Sequence, residues 1–218
     1  MTLMPSEKVN FITHGLGALL WIPLTAFLMF VVWGHWDLVL VSFIYGLGAI
    51  FMFGASTLYH KFKKAENEKT LLRSLDHFAI FVMIAGSYTP VAYVWFLEPT
   101  KWITLGSQWG ITLLGLFLTF FVRNRPRWID VVLYLSMGWV SIFLIKWMME
   151  IMSPTTLGML LAGGIFYSVG ALIYALKKPN WKPGVFGFHE LFHLFILAGA
   201  VAHFFLVYET LLHGLTKV

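Results

Sequence analysis

Three histidines and an aspartate could hold and use a metal ion if folding brings them to one depth. His60 follows Ser56 by four residues in STLYH, and His193 follows His189 by four in HELFH. Residues four apart share one face of an α-helix, so each pair points one way. Asp76 stands in SLDHF, and Glu7, Asn10 and His14 share a further face at spacings of three and four. The chain has no cysteine, so any metal site must use nitrogen and oxygen ligands. Three imidazoles from His60, His189 and His193, with an oxygen ligand to spare, suit zinc best. Three protein nitrogens leave a fourth position for water, the open arrangement of catalytic zinc. Asp76 could fill that position as a ligand, or hydrogen-bond the water and serve as general base. Ser56 could donate to a developing oxyanion, or could bond back to its own helix.

The elements that must position these groups are membrane spans. Of 218 residues, 59% are hydrophobic and 11% charged, with mean hydropathy +0.80. A soluble domain carries about a quarter charged residues, so lipid must be the solvent for most of this chain. Apolar runs near 11–33, 37–60, 74–97, 102–122, 128–149, 155–176 and 188–212 have the roughly 20-residue length that crosses a hydrocarbon core. The reading is an all-α integral membrane protein, a single seven-transmembrane helix bundle over residues 1–218. The fourth run is the weakest because it contains Ser107 and Gln108. The first run lacks a small-x-small cleavage signal and is expected to stay as a span. Small residues within spans (Gly46, Gly48, Gly54 and Ala55; Gly163, Gly164 and Gly170; Ala198, Gly199, Ala200 and Ala202) are expected to let helix backbones approach.

Basic residues give the orientation. The N-terminus and the connections after spans two, four and six hold Lys8, Lys61, Lys63, Lys64, Lys69, Arg73, Arg123, Arg125, Arg127, Lys177, Lys178 and Lys182. Twelve of the fifteen Lys and Arg are thus on one side, which leaves Lys101, Lys146 and Lys217 elsewhere. Positive charge marks the cytoplasm, so the N-terminus is expected inside and the C-terminus outside. The net charge of +5 is then an orientation signal, and no nucleic-acid partner is implied. This topology, counted from Lys and Arg alone, also puts Glu7, His14, Ser56, His60, Asp76, His189 and His193 in one layer near the inner leaflet. Ionisable groups within a bilayer are costly and mark function. His203 lies ten residues past His193, about 15 Å along the helix, so it cannot share that ion. It reads as a buried, hydrogen-bonding histidine of the outer half, with His35, His77 and His213 interfacial and Lys146 snorkelling outward.

These motifs resemble the hemolysin III family, the bacterial branch of the progestin and adipoQ receptor (PAQR) superfamily. The matching stretches are E-x2-N-x3-H from Glu7, S-x3-H from Ser56, DHFAIFVMIAGSYTP from Asp76, MGWVSIFLIK, LLAGGIFYSVGALIYA and HELFH. They follow the family's order over nearly the whole chain. The resemblance implies a seven-helix bundle in a bacterial cytoplasmic membrane, N-terminus inside. It also implies zinc on His60, His189 and His193, with Asp76 contacting a zinc-bound water and Ser56 beside it. Glu7, Asn10 and His14 would support these ligands from behind. The wider superfamily is similar to alkaline ceramidases, so hydrolysis of a lipid-like amide or ester is the implied chemistry, with membrane lipids as partners. Two other classes remain open on the residues alone. One is a non-enzymatic sensor or regulator of membrane state with structural zinc; the other is a membrane-permeabilising hemolysin.

Overall fold

A computed structural model describes residues 7–65, 70–122, 126–182 and 185–217 of the chain. Its helices are α1 (Lys8–Val31), α2 (Trp36–Phe62), α3 (Leu71–Trp95), α4 (Thr100–Phe121), α5 (Arg127–Gly138), α6 (Ile145–Ile151), α7 (Pro154–Leu176) and α8 (Phe188–Leu215). A 3-10 turn at Val140–Leu144 joins α5 to α6, and the three pieces together form one crossing, Trp128–Ile151. Among the described residues, seven segments are therefore long and apolar enough to span a bilayer. Their ends lie within a few residues of the sequence-based boundaries. Lys69, Arg123 and Arg125, and the side chain of Arg127, lie outside the described residues.

The bundle is wrapped by apolar side chains that a soluble protein would bury. Phe30, Phe121 and Phe143 are more than 70% exposed, and Leu19, Leu71 and Leu113 stand outward as well. Tryptophans ring the ends, with Trp33, Trp36 and Trp102 on one side and Trp128 and Trp181 on the other. Such a girdle is what indole prefers at a membrane–water boundary. The interior is densest among α1, α2, α3 and α8, around Trp21, Leu28, Tyr45, Phe53, Leu206 and Leu211. α2 and α3 are the most enclosed spans, and α7 is mostly exposed to the surroundings.

Small residues set the closest approach. A side-chain carbon at Gly48 would meet the Val82 carbonyl at 3.2 Å, and one at Gly86 would meet the Ile44 carbonyl at 3.3 Å. α2 and α3 thus touch backbone to backbone, which fixes His60 relative to Asp76. Gly46 makes room for Thr25, Gly163 for His203, and Gly199 for Tyr167. Gly54 departs from the packing expectation, because nothing lies within 4 Å of the carbon it lacks.

The fifth crossing contains a break that the hydropathy pattern does not reveal. Where the α-helical ladder stops at Gly138, Tyr88 Oη donates to the Gly138 carbonyl at 2.8 Å and accepts from the Ser141 amide at 3.1 Å. Gln108 Nε2 donates to the Met137 carbonyl at 2.9 Å. Irregular backbone at membrane depth is tolerated only where other groups satisfy it. Gln108, fully buried, made the fourth run look polar, and this bond explains its presence. Overpacking costs about 1–3 kcal/mol, so Gly86→Leu should lower thermal stability in detergent by that order. Gly54→Leu, with open space before it, should stay within about 0.5 kcal/mol of the parent.

Candidate metal centre

α2 ends and α8 begins on the same face of the bundle, and the three histidines meet there. His60 Nε2 and His189 Nε2 are 3.4 Å apart. The His193 ring centroid is 4.8 Å from those of both His60 and His189. One ligand atom from each of the three lies within 4.8 Å of the others. Tetrahedral zinc with bonds of about 2.0–2.1 Å separates its ligand nitrogens by roughly 3.3 Å. The His60–His189 pair already has that separation, and His193 is within reach. His60 and His193 are buried and His189 partly so.

The first helix braces this cluster. Glu7 Oε2 faces His60 Nδ1 at 2.5 Å, and Glu7 Oε1 accepts from Lys63 Nζ at 2.6 Å. Burial pushes the Glu7 carboxyl up, but the bonds from His60 and Lys63 outweigh it and hold its pKa at about 2. Glu7 is therefore ionised at neutral pH. A carboxylate on Nδ1 fixes the proton there and leaves the Nε2 lone pair facing His189, the usual arrangement behind a metal-binding imidazole. His14 packs against His193 with centroids 3.8 Å apart and meets Phe53 edge-on. Asn10 Nδ2 donates to Glu190 Oε1 at 3.0 Å. Glu7, Asn10 and His14, which share a face by their spacing, each reach α2 or α8 by a different contact.

Glu190 and Lys63 are the residues that sequence reasoning missed. The stretch from His189 to His193 has H-E-x-x-H spacing, in which the glutamate of many zinc proteases is the base. Here both Glu190 oxygens are engaged. Oε1 takes the Asn10 amide, and Oε2 takes the Gly187 backbone N–H at 2.7 Å, capping α8. Its position three residues into the helix was a capping signal in the sequence.

Ser56 is buried, and its Oγ has no protein hydrogen-bond partner among the described residues. Ser42, Ser87, Thr25, Thr57 and Thr89 all donate to the carbonyl four residues back. Ser56 does not share that back-bonding. Asp76 is partly exposed on α3 and is not one of the mutually close ligand atoms. It lines a cavity of about 810 Å³ together with Ser56, His189 and His193. Met52, Met83, Ile84, Leu135 and Ile196 supply apolar wall. Lys63, just past the end of α2, and Arg73, in the first turn of α3, also line it, and His203 lies toward the opposite membrane face. His77 pairs with Asp130 at 3.7 Å, His213 stacks on Trp95, and Lys146 is exposed. None of these three joins the cluster.

The carboxylate behind His60 carries a measurable consequence. Loss of such an outer partner typically costs 10–100-fold in metal affinity. Glu7→Gln should therefore weaken metal retention by about that factor in chelator competition, with the bundle still folded.

A sequence profile described as Haemolysin-III related matches residues 3–204. The chain is 37% identical over 211 residues to Hemolysin-3 of Bacillus cereus, covering 95% of this chain and 93% of that one. It is 35% identical over 215 residues to the Hemolysin-3 homolog of Bacillus subtilis strain 168, covering 95% of each. More distantly, it is 27% identical over 190 residues to the adiponectin receptor protein of Drosophila melanogaster, covering 79% of this chain and 41% of the receptor. The match spans all the motifs that converge on the three histidines, and the chain belongs to the haemolysin-III-related family of multi-pass membrane proteins.

Proposed function

We propose that this protein is a zinc-dependent hydrolase of lipid-like amides or esters, working within a bacterial cytoplasmic membrane with its N-terminus inside. The observation that carries the proposal is a set of three mutually close imidazoles, two of which, His189 and His193, line a lipid-sized, largely apolar cavity with His60 buried behind them. The basic residues of the N-terminal side support the orientation. The donor set suits zinc, since all three ligands are nitrogens and a carboxylate stands behind one of them. When bound there, zinc would polarise a substrate carbonyl and lower the pKa of a water molecule.

The remaining work falls to the chain's own side chains. Glu7 keeps the His60 lone pair directed at the cluster. Asp76, which lines the cavity and lies outside the ligand group, would take a proton from the attacking water and return it to the leaving group. Ser56 Oγ, uncommitted to its helix, can donate to oxygen as negative charge develops there. Glu190 serves the packing of the helices instead, with one oxygen accepting from Asn10 and the other from the Gly187 backbone N–H. The apolar wall receives an acyl chain and keeps bulk water from the reacting carbonyl.

A second reading is favoured by one contact. Glu7, His60 and His189 link α1, α2 and α8 in a single chain of bonds, so a metal there could act as a staple in a non-enzymatic membrane-state sensor. Turnover separates the two. Removing a general base typically costs 10²–10⁴ in rate. On a panel of ceramide-like amides and lipid esters, Asp76→Asn should keep its zinc and lose about that much kcat. Glu190→Gln should lose stability before it loses turnover per folded molecule, and His193→Ala should lose both zinc and turnover. Full zinc content with no hydrolysis by the parent protein would leave the staple reading standing.

A further inference from the structure

The cavity continues past the histidine cluster, and its remote part carries two polar groups for which the hydrolytic site has no use. His203 lies ten residues beyond His193 on α8, about 15 Å further along the helix. Its Nε2 reaches only the Leu160 carbonyl, at a long 3.4 Å, and its Nδ1 has no protein hydrogen-bond partner among the described residues. Tyr167 on α7 stands edge-on to it with ring centroids 5.2 Å apart, and Tyr167 Oη likewise has no protein partner. Both side chains line the cavity.

The backbone is shaped to seat these two rings. A side-chain carbon at Gly163 would overlap the His203 imidazole, and one at Gly199 would come within 2.6 Å of the Tyr167 ring. α7 and α8 thus each give up a side chain to accommodate a polar ring of the other. A wall built only to receive an alkyl chain would be apolar here, since a polar group facing hydrocarbon without a partner is costly. The groups differ in character. A tyrosine hydroxyl both donates and accepts, while an imidazole nitrogen does one or the other according to its tautomer. A ligand hydroxyl can satisfy both at once.

We infer that His203 and Tyr167 form a subsite for a hydroxyl group carried on the acyl chain of the lipid ligand, about 15 Å from the histidine cluster. The assignment deepens the hydrolase proposal and rests on it for the placement of the carbonyl end. Three bonds of an extended chain span about 3.3–3.6 Å, so the hydroxyl would sit roughly a dozen bonds from the carbonyl carbon.

Binding can be read without turnover. The zinc-loaded, detergent-purified protein would be titrated with 12-hydroxystearic acid and with stearic acid by calorimetry. The parent should bind the hydroxy acid about tenfold more tightly. Tyr167→Phe and His203→Leu should each erase that preference while keeping the affinity for stearic acid and the zinc content. Tyr167→Phe keeps the ring that fills the Gly199 groove, so it guards against a loss that merely reflects misfolding. Equal affinity of the parent for the two acids, with the subsite holding only water, would overturn the inference; so would a preference that survives both variants. A preference without lipid hydrolysis upholds the subsite and sinks the hydrolase. Hydrolysis without a preference does the reverse.

Discussion

The contact between the Glu7 carboxylate and the His60 imidazole is the one on which the rest of the site depends. Within a bilayer the cost of a charge can be met only by another part of the chain. Here Glu7 is met twice, by His60 Nδ1 on one oxygen and Lys63 on the other. That pairing draws α1 onto the end of α2 and fixes which nitrogen of His60 is free. Asn10 repeats the device one turn on, drawing α1 onto the start of α8 through Glu190. Two carboxylates, each with both oxygens engaged, therefore tie α1 to the far end of its neighbour α2 and to α8 near the other end of the chain. The three imidazoles are neighbours because of it.

Elsewhere the bundle follows the same rule. The break in the fifth crossing exists because Tyr88 and Gln108 supply hydrogen bonds to the backbone groups near it. Serines and threonines within spans mostly return their hydroxyls to their own helix. Against that background, three of the buried polar atoms without a protein partner among the described residues stand out. Ser56 Oγ lies in the cavity wall near the histidines, and Tyr167 Oη and His203 Nδ1 lie further along it. All three belong to residues that line one cavity.

Much of this was legible in the sequence, for identifiable reasons. Span number and limits follow from run length and apolarity, which are local properties, and every span stands where the runs predict. The i, i+4 spacings of Ser56 with His60 and of His189 with His193 fix shared faces, and the alternation of basic connections fixes shared depth. What escaped depends on partners from other helices. The break after Gly138 cannot be seen without Tyr88 and Gln108. The structural duty of Glu190 cannot be seen without Asn10, although its capping position was a local clue. Gly54 looks like Gly48 in the sequence, and only the three-dimensional packing shows that one faces open space and the other a carbonyl. Whether Ser56 would bond back to α2 was undecidable from residue type, because its neighbour Thr57 does so.

The central claim is that imidazoles from α2 and α8 hold a zinc ion with one position open to water. X-ray absorption at the zinc edge of the purified protein tests it most directly. The account predicts one zinc per chain, bound by three nitrogen scatterers of imidazole type at about 2.0–2.1 Å and one further light atom. Protein purified without chelators that carries no metal, or whose metal shows no imidazole scattering, would contradict it.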